Sequence, residues 1–265
     1  MTAHAASQPA ATTPPAPAAA PPGRRVLRQA RWDAVLVLRN GEQLLLTLVL
    51  PVLALVAMSR TSLVTLDIPA GRSAVDVVAP GVLAMAVMST AFTGQAISTA
   101  FDRRYGVLRL LGTTPLGRSG LLVGRILAVL AVEVLQVVVL GVVAAALGWR
   151  PSAAGLAEAL PLLALGTAAF TALGLLMAGT MRAEAVLAGA NLVWVLLLLG
   201  GGVLLPLSEL PRPVAAVAGW LPSGALAEGL RTALLDGVVS PSRFAVLAVW
   251  TAAAALACGR WFRWH

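Results

Sequence analysis

The sequence contains no lysine, and all 19 of its basic residues are arginine. A P-loop ATPase site uses a lysine to reach the nucleotide phosphates, so an ATP-hydrolysing site of that kind is excluded. The two histidines, His4 and His265, lie at the two ends of the printed sequence. No histidine metal site or histidine base is therefore expected inside the fold. The single cysteine, Cys258, excludes an intrachain disulfide.

Charged residues are also scarce. They make up 11% of the 265 residues, whereas hydrophobic residues make up 59%. A soluble domain carries roughly 25% charged residues, so the composition excludes an ordinary soluble protein and predicts a polytopic membrane protein. The net charge of +8 comes from arginines spread between apolar segments. Cytoplasmic loops of membrane proteins explain this pattern, so we expect no nucleic-acid partner.

Six apolar runs approach the roughly 20 residues that a membrane-spanning helix needs. They occupy residues 43–58, 77–101, 121–147, 153–181, 185–205 and 244–262. A further stretch, residues 214–235, is interrupted by glycine, proline and charged residues, which predicts short re-entrant or outer helices before the last span. The predicted fold class is an all-α integral membrane protein with six transmembrane helices, and the transmembrane domain covers residues 43–262.

Two segments precede the first predicted span. Residues 1–23 carry no charge and are rich in proline and alanine, which predicts a disordered tail. In residues 24–42 the arginines fall mainly on one arc of a helix and the apolar residues on the opposite arc. This pattern predicts an amphipathic helix at the membrane interface. A soluble helix in a cytoplasmic loop is the alternative interpretation.

The arginines also predict an orientation. With the N-terminus inside, most of them fall on the cytoplasmic side, which predicts that both termini are cytoplasmic. The high content of alanine, glycine, valine, leucine and arginine, without lysine, indicates a GC-rich bacterial genome. The predicted location is therefore the bacterial cytoplasmic (inner) membrane, as a multi-pass protein.

The loop between the second and third predicted spans, residues 102–118, is the most informative segment. It is too charged to lie in lipid and too apolar to be a free linker. Tyr105, Leu108 and Leu111 have helical spacing, and residues 112–115 predict the end of a helix. Such a helix would offer a surface to a soluble partner. A solvated loop that follows the positive-inside rule is equally compatible with these residues.

The order of residues in this loop adds a family resemblance. The loop contains Asp-Arg-Arg-x-Gly-x-Leu from position 102, then Thr-Pro, and the next helix carries Gly-Arg at 124–125. This order resembles the intracellular loop of the type-2 ABC exporter permeases (ABC-2 type transmembrane subunits). The resemblance implies a coupling helix that contacts an ATPase. The implied contact residues are Asp102, Arg103, Arg104, Gly106, Leu108, Arg109, Thr114 and Pro115.

A second segment, residues 206–237, carries the same resemblance. It is similar to the outer segment before the last span of that family, where helical pieces hinged at proline dip into the outer leaflet. The residues that mark it here are Pro206, Pro211, Pro222, Glu228 and Arg231.

The resemblance implies the permease subunit of an exporter, without an ATPase site of its own. Two permeases, as a homodimer or a heterodimer, would form the pathway in contact with membrane lipid. Separate ABC ATPase subunits would bind ATP and Mg, and this chain itself would bind no cofactor and no metal. The low aromatic content, 5%, makes a sugar polymer a poor substrate. An amphipathic drug, an antibiotic-like compound or a lipid fits better.

Polar residues inside the spans are the candidates for the translocation pathway, because such side chains in lipid usually face a bundle interior or a pathway. Glu133 lies near the middle of the third predicted span, and it either lines the pathway or acts as a hydrogen-bonding contact between helices. The amides Gln95, Gln136 and Asn191 fit the packing role better.

Three other classes of protein are alternatives. A membrane enzyme is disfavoured because the spans contain no aspartate or histidine. An ion-coupled secondary transporter usually has two interrupted helices in matching positions, and the sequence shows one irregular region. A non-transporting membrane subunit with the same fold is the remaining alternative.

Overall fold

The computed structural model describes residues 20–60, 68, 71–238 and 240–263. Within these residues all regular structure is helical and no strand occurs, which confirms the predicted all-α class. The predicted disordered tail, residues 1–23, lies outside the described residues up to position 19. The helical part begins with α1, which occupies the segment that the sequence predicts as an amphipathic helix. Its bounds are Pro22–Arg39.

Five helical segments of the described chain are long and apolar enough to cross a membrane. They are Ala74–Arg104, Ser119–Ala146, Ala153–Thr180, Ala183–Gly200 and Pro241–Trp261. The first predicted span, residues 43–58, falls in α2 (Gly41–Arg60), where the apolar helical part Thr47–Arg60 is shorter. Five long apolar helices establish a multi-pass membrane protein, and the count of six spans stays a prediction.

The second predicted span is not a uniform helix. It consists of α3, a π-helical segment and α4 in direct succession, with bounds Ala74–Val87, Met88–Gly94 and Gln95–Arg104. The wider π-helical turn presents its backbone to α7, where a Cβ at Gly174 would lie 2.8 Å from the Phe92 carbonyl oxygen. Glycine at position 174 therefore permits the close approach of these two helices.

The remaining helices follow with short connections. Their bounds are Val107–Gly112 for α5, Gly117–Ala146 for α6, Ala153–Thr180 for α7, Ala183–Gly200 for α8, Arg212–Ala218 for α9, Pro222–Arg231 for α10 and Pro241–Trp261 for α11. A 3-10 turn, Leu207–Glu209, precedes α9, and a π-helical turn, Thr232–Asp236, follows α10. The fifth predicted span extended to residue 205, but α8 ends at Gly200 because the next residues turn, with Gly202 at φ 67°.

The helix of residues 74–104 lies at the centre of the bundle. Its most apolar stretch is 89% buried within the chain, whereas the corresponding stretches of α8 and α11 are 17% buried. It packs on α7, where Phe92 meets Phe170 edge to face with ring centres 6.4 Å apart. Helices α8 and α11 therefore lie at the periphery and leave most of their apolar surface for lipid or for a second subunit.

The bundle has two chemically different ends. At one end α4 ends, α5 follows and α6 begins, with α1 packed along α6; we name it the α5 end. At the other end α9 and α10 fold back between α8 and α11; we name it the α10 end. Helix α10 is buried over nearly its whole length, against α3, α7 and α11.

Candidate functional site

The loop predicted as one helix over residues 102–111 contains two helices. Helix α4 ends at Arg104, and α5 begins at Val107. Gly106 between them has φ 77°, a left-handed conformation that glycine adopts without the steric cost of a Cβ. The prediction of a continuous coupling helix is therefore corrected to a short helix, α5, set off from the span by Gly106.

The break also changes which side chains face outward. Leu108 is fully buried, whereas Tyr105 and Leu110 are 73% and 70% exposed. The predicted common face of Tyr105, Leu108 and Leu111 does not form, because Tyr105 lies before the break. Val107 and Arg109 are exposed beside Leu110. We name Tyr105, Val107, Arg109 and Leu110 the α5 patch.

The end of α5 is capped by the two threonines that follow it. The hydroxyl of Thr113 donates to the Leu110 carbonyl at 2.7 Å, and that of Thr114 to the Leu111 carbonyl at 2.6 Å. Pro115 is exposed, and its carbonyl accepts a hydrogen bond from Arg25 of α1 at 2.7 Å. These contacts hold α5 against α1.

Arg103 and Arg104, predicted to contact an ATPase, bind within this chain. Arg103 donates to the carbonyl of Met181, and Arg104 pairs with Glu184. Both partners lie at the junction of α7 and α8, so the two arginines link the end of α4 to two other spanning helices. Arg104 and Glu184 keep 52% and 65% of their side chains exposed.

Asp102 belongs to a cluster of three charges that joins three helices. Arg125 of α6 lies 2.5 Å from Asp102 of α4 (Nη2 to Oδ2) and 3.5 Å from Asp33 of α1 (Nε to Oδ2). Gln29 donates to the other carboxylate oxygen of Asp33 at 2.9 Å. We name Asp33, Arg125 and Asp102 the ion triad.

Asp33 is a site residue that sequence reasoning missed. The aspartate is 8% exposed, and burial raises the pKa of its carboxyl, an effect that Arg125 and Gln29 oppose and that Asp102 adds to. The available signal was that Asp33 is the one acidic residue in the arginine-rich α1. Its partner lies far along the sequence, so no local pattern identified the pair.

A cavity of about 490 Å³ adjoins the ion triad; we name it the vestibule. It extends from α1 and α5 along α4 and α6 toward the middle of the bundle. Its polar wall includes Asp33, Gln95, Asp102 and Arg125. Its apolar wall includes Leu36, Val107, Leu111, Ala128, Val129 and Val132, and Trp32 also lines it.

The four predicted pathway residues lie in different places. Gln95 lines the vestibule, and its Oε1 has no hydrogen-bond partner among the described residues. Gln136, 1% exposed, accepts from the Thr90 hydroxyl at 3.1 Å and donates to the Thr47 carbonyl at 3.0 Å. It therefore links three helices, as a packing contact does.

The other two predicted pathway residues differ in burial. Glu133 is 5% exposed between α6 and α7, where it accepts a hydrogen bond from the Thr167 hydroxyl. Asn191 is exposed on α8 and donates to the Leu187 carbonyl at 2.7 Å. It lines an apolar groove of about 470 Å³ between α2, the π-helical segment and α8, together with Trp194. Asn191 is therefore exposed, whereas Gln95, Gln136 and Glu133 are buried.

The residues predicted to mark the segment 206–237 lie at the α10 end, where Arg231 contacts both Glu228 and the end of α8. Arg231, 3% exposed, donates to the carbonyls of Gly202 and Val203 at 2.8 and 2.7 Å and pairs with Glu228 at 3.2 Å. The three prolines begin elements: Pro206 precedes the 3-10 turn, Pro211 precedes α9 and Pro222 begins α10. These contacts attach the segment of residues 206–237 to the end of α8.

Comparison with known proteins identifies the family. The family model described as ABC-2 type transporter matches residues 24–235, more than half of the chain and both segments described above. No curated protein matches the chain. The family's membrane domain is the permease component, which lacks the ATPase site and associates with an ABC ATPase. The chain therefore belongs to the ABC-2 type transporter family and is a permease subunit of an ABC-type transporter.

Proposed function

We propose that this permease exports an amphipathic drug-like or antibiotic-like compound, or a lipid, and that a separate ATPase subunit binds ATP and Mg and drives the transport. The α5 patch is the observation that supports the proposal. It exposes Tyr105 at the end of α4, and Val107, Arg109 and Leu110 on the short helix α5, outside the spanning segments. A solvent-facing apolar patch with a charge at its edge is typical of a protein-docking surface.

The connections behind the patch support coupling. The ion triad joins the span that precedes α5 to α1 and α6, and Arg103 and Arg104 join it to α7 and α8. A movement of α5 is therefore transmitted to four other helices. Such a movement drives transport if the two membrane conformations differ in affinity for the nucleotide-bound ATPase.

The groove between α2 and α8 supports the substrate class. Its wall is mainly apolar and carries the hydroxyls of Thr47, Ser89 and Thr93, the amide of Asn191 and the indole of Trp194. Cavities of this size with a few polar groups suit drug-sized amphipathic molecules. The exposed apolar surfaces of α2 and α8 leave room there for a second permease, in a homodimer or a heterodimer.

Purification of the tagged chain from native membranes, with mass spectrometry of the proteins bound to it, tests the ATPase partner. We expect a stoichiometric ABC ATPase. Leu110→Asp, which places a charge in the α5 patch, should remove most of it. Val238→Asp, at a position of the α10 end that is 61% exposed against 70% for Leu110, is the matched control. Equal ATPase recovery with both variants would contradict docking on α5.

The direction of transport needs a separate measurement. We propose that the α5 end and both termini face the cytoplasm of a bacterial inner membrane, in accord with the arginine distribution. In inside-out vesicles, ATP should then drive accumulation of rhodamine 123. Two further variants carry Cys258→Ala with either Val238→Cys or Thr113→Cys. In intact cells, an impermeant maleimide should label the Val238→Cys variant but not the Thr113→Cys variant. The reverse labelling pattern would overturn this orientation.

A further inference from the structure

We propose that the vestibule is a binding site for an ammonium group carried on an apolar body. The proposal starts from the charged side chains that line the cavity. Its ionisable side chains, among the described residues, are two carboxylates and one guanidinium, from Asp33, Asp102 and Arg125. The carboxylates outnumber the cation, so a ligand that balances the charge of this wall is positively charged.

Two buried oxygen atoms in the wall of the vestibule accept no hydrogen bond from the described residues. Gln95 is 7% exposed and lines the cavity, and its Oε1 has no hydrogen-bond partner in the described part of the chain. Asp33 Oδ2 likewise accepts no hydrogen bond there, because the Arg125 Nε, at 3.5 Å, is not positioned to donate one. A buried acceptor without a donor is costly, and an ammonium supplies up to three N–H donors.

The rest of the wall defines the body of the ligand. Leu36, Val129 and Val132 also line the cavity, and their side chains suit an aliphatic or aromatic body. Trp32, which also lines it, is 64% exposed. Its indole face suits a cation–π contact with the ammonium as the ligand enters. The volume of about 490 Å³ lies in the range of drug-sized sites.

Two sources supply this chemistry: a free amphipathic amine, or the headgroup of phosphatidylethanolamine. Helix α1, whose Trp32 and Leu36 line the cavity and are exposed, is amphipathic, so both ligands would reach the vestibule from the membrane interface. Binding at this site does not depend on transport. Its role as the place where a substrate is captured before export rests on the proposed function.

The test uses the full chain, without ATPase, in nanodiscs of phosphatidylcholine and phosphatidylglycerol. The probe is dansylcadaverine, a primary amine on a fluorophore that brightens in an apolar site. Its N-acetyl derivative has nearly the same body without the charge. We expect saturable binding of the amine and at least about tenfold weaker binding of the derivative, the loss expected for a charge-assisted hydrogen bond.

Three variants locate the site. Asp33→Asn should weaken binding about tenfold or more. Gln95→Leu and Trp32→Ala should each weaken it about two- to fivefold. The matched control is Glu184→Gln, which removes an exposed carboxylate at the same end of the bundle but outside the cavity wall. If Asp33→Asn does not fold, Gln95→Leu and Trp32→Ala carry the test, because Trp32 is largely exposed and the Gln95 Oε1 has no partner to lose.

Each result has a defined meaning. Equal weakening by Asp33→Asn and Glu184→Gln, or equal binding of the amine and its N-acetyl derivative, would overturn the site. A second series replaces phosphatidylcholine with phosphatidylethanolamine. A higher apparent Kd for the probe identifies the lipid headgroup as occupant, and an unchanged Kd identifies a free amine. If binding holds but no ATPase copurifies, the site stands and the exporter proposal fails.

Discussion

The two ends of the bundle each contain a buried arginine, and they use it differently. At the α10 end, Arg231 donates to two backbone carbonyls and pairs with a glutamate one helical turn away. At the α5 end, Arg125 pairs with carboxylates from two other helices and borders a cavity. Backbone carbonyls have fixed positions, whereas carboxylates move with their side chains and with their helices.

This difference predicts that the contacts of Arg231 are rigid and that those of Arg125 can rearrange. Arg231 fixes α10 to the end of α8, and a Cβ at Gly81 of α3 would lie 2.9 Å from its guanidinium. Arg125 connects α1, α4 and α6 through side chains alone, so a change of rotamer can accompany a shift of these helices. We therefore expect loss of Arg231 to reduce stability most, and loss of Arg125 to affect coupling as well as stability.

The largest expected effect is that of Arg231→Met. Methionine leaves the Gly202 and Val203 carbonyls and the Glu228 carboxylate without their donor, and removal of one partner of a buried ion pair typically costs about 3–5 kcal/mol. The thermal unfolding temperature in detergent and the monodisperse fraction in size-exclusion chromatography should both fall. Arg212→Met, at an exposed position of the same end, is the control and should change little.

A smaller effect is expected for Arg125→Met, because the adjoining cavity admits water to the remaining carboxylates. We expect a loss of about 2 kcal/mol. Adding Asp33→Asn and Asp102→Asn should recover at least half of it, since the unpaired charges are then gone.

Rescue by removal of the partner charge should fail at the α10 end. Glu228→Gln should not rescue Arg231→Met, because the two carbonyls still lack a donor. Rescue at both ends would mean that the two arginines play the same role.

These contrasts show how much the sequence could predict. The apolar runs predicted the helical class, and the residue order around Gly106 and Thr-Pro carried the family resemblance, because those signals are local. The partners of Arg125 were not predictable, since they lie on separate helices. The two backbone carbonyls that Arg231 contacts were not predictable either, whereas Glu228 lies one turn before it on the same helix. Periodicity also could not reveal that α4 and α5 are separate, because the left-handed Gly106 leaves the apolar spacing intact.

The double variant Arg103→Glu, Arg104→Glu tests whether α4 transmits movement from α5. It removes the contacts with Met181 and Glu184, and exposed ion pairs contribute about 1 kcal/mol or less to stability. We expect normal membrane insertion with a large loss of ATP-driven export. Full export by this variant would exclude a coupling role for both arginines.

Gly106→Ala should cost about 1–2 kcal/mol, because an L side chain is strained in the left-handed region. Gly259→Ala is the matched control, since a Cβ there meets no other atom within 4 Å and its backbone is helical. The control should be neutral or slightly stabilising. Chemical unfolding of both variants in the same detergent gives the comparison.

The smallest effect is expected for Glu133→Gln. Glutamine has the same shape and keeps an oxygen that accepts from the Thr167 hydroxyl, so stability should change by less than about 1 kcal/mol. Glu133 borders neither the vestibule nor the groove. Transport of rhodamine 123 should therefore match that of the parent, and a changed substrate profile would restore Glu133 to the pathway.

The position of Asp33 has a consequence for biogenesis. Helix α1 leaves the ribosome before α6, and its buried aspartate pairs with an arginine of α6 synthesised about ninety residues later. At roughly 5–20 residues per second, the carboxylate waits some seconds without its partner. During that interval α1 has to remain at the water–lipid boundary, and it docks only once α6 is inserted. Helix α1 is thus made before α6 but reaches its final place after it.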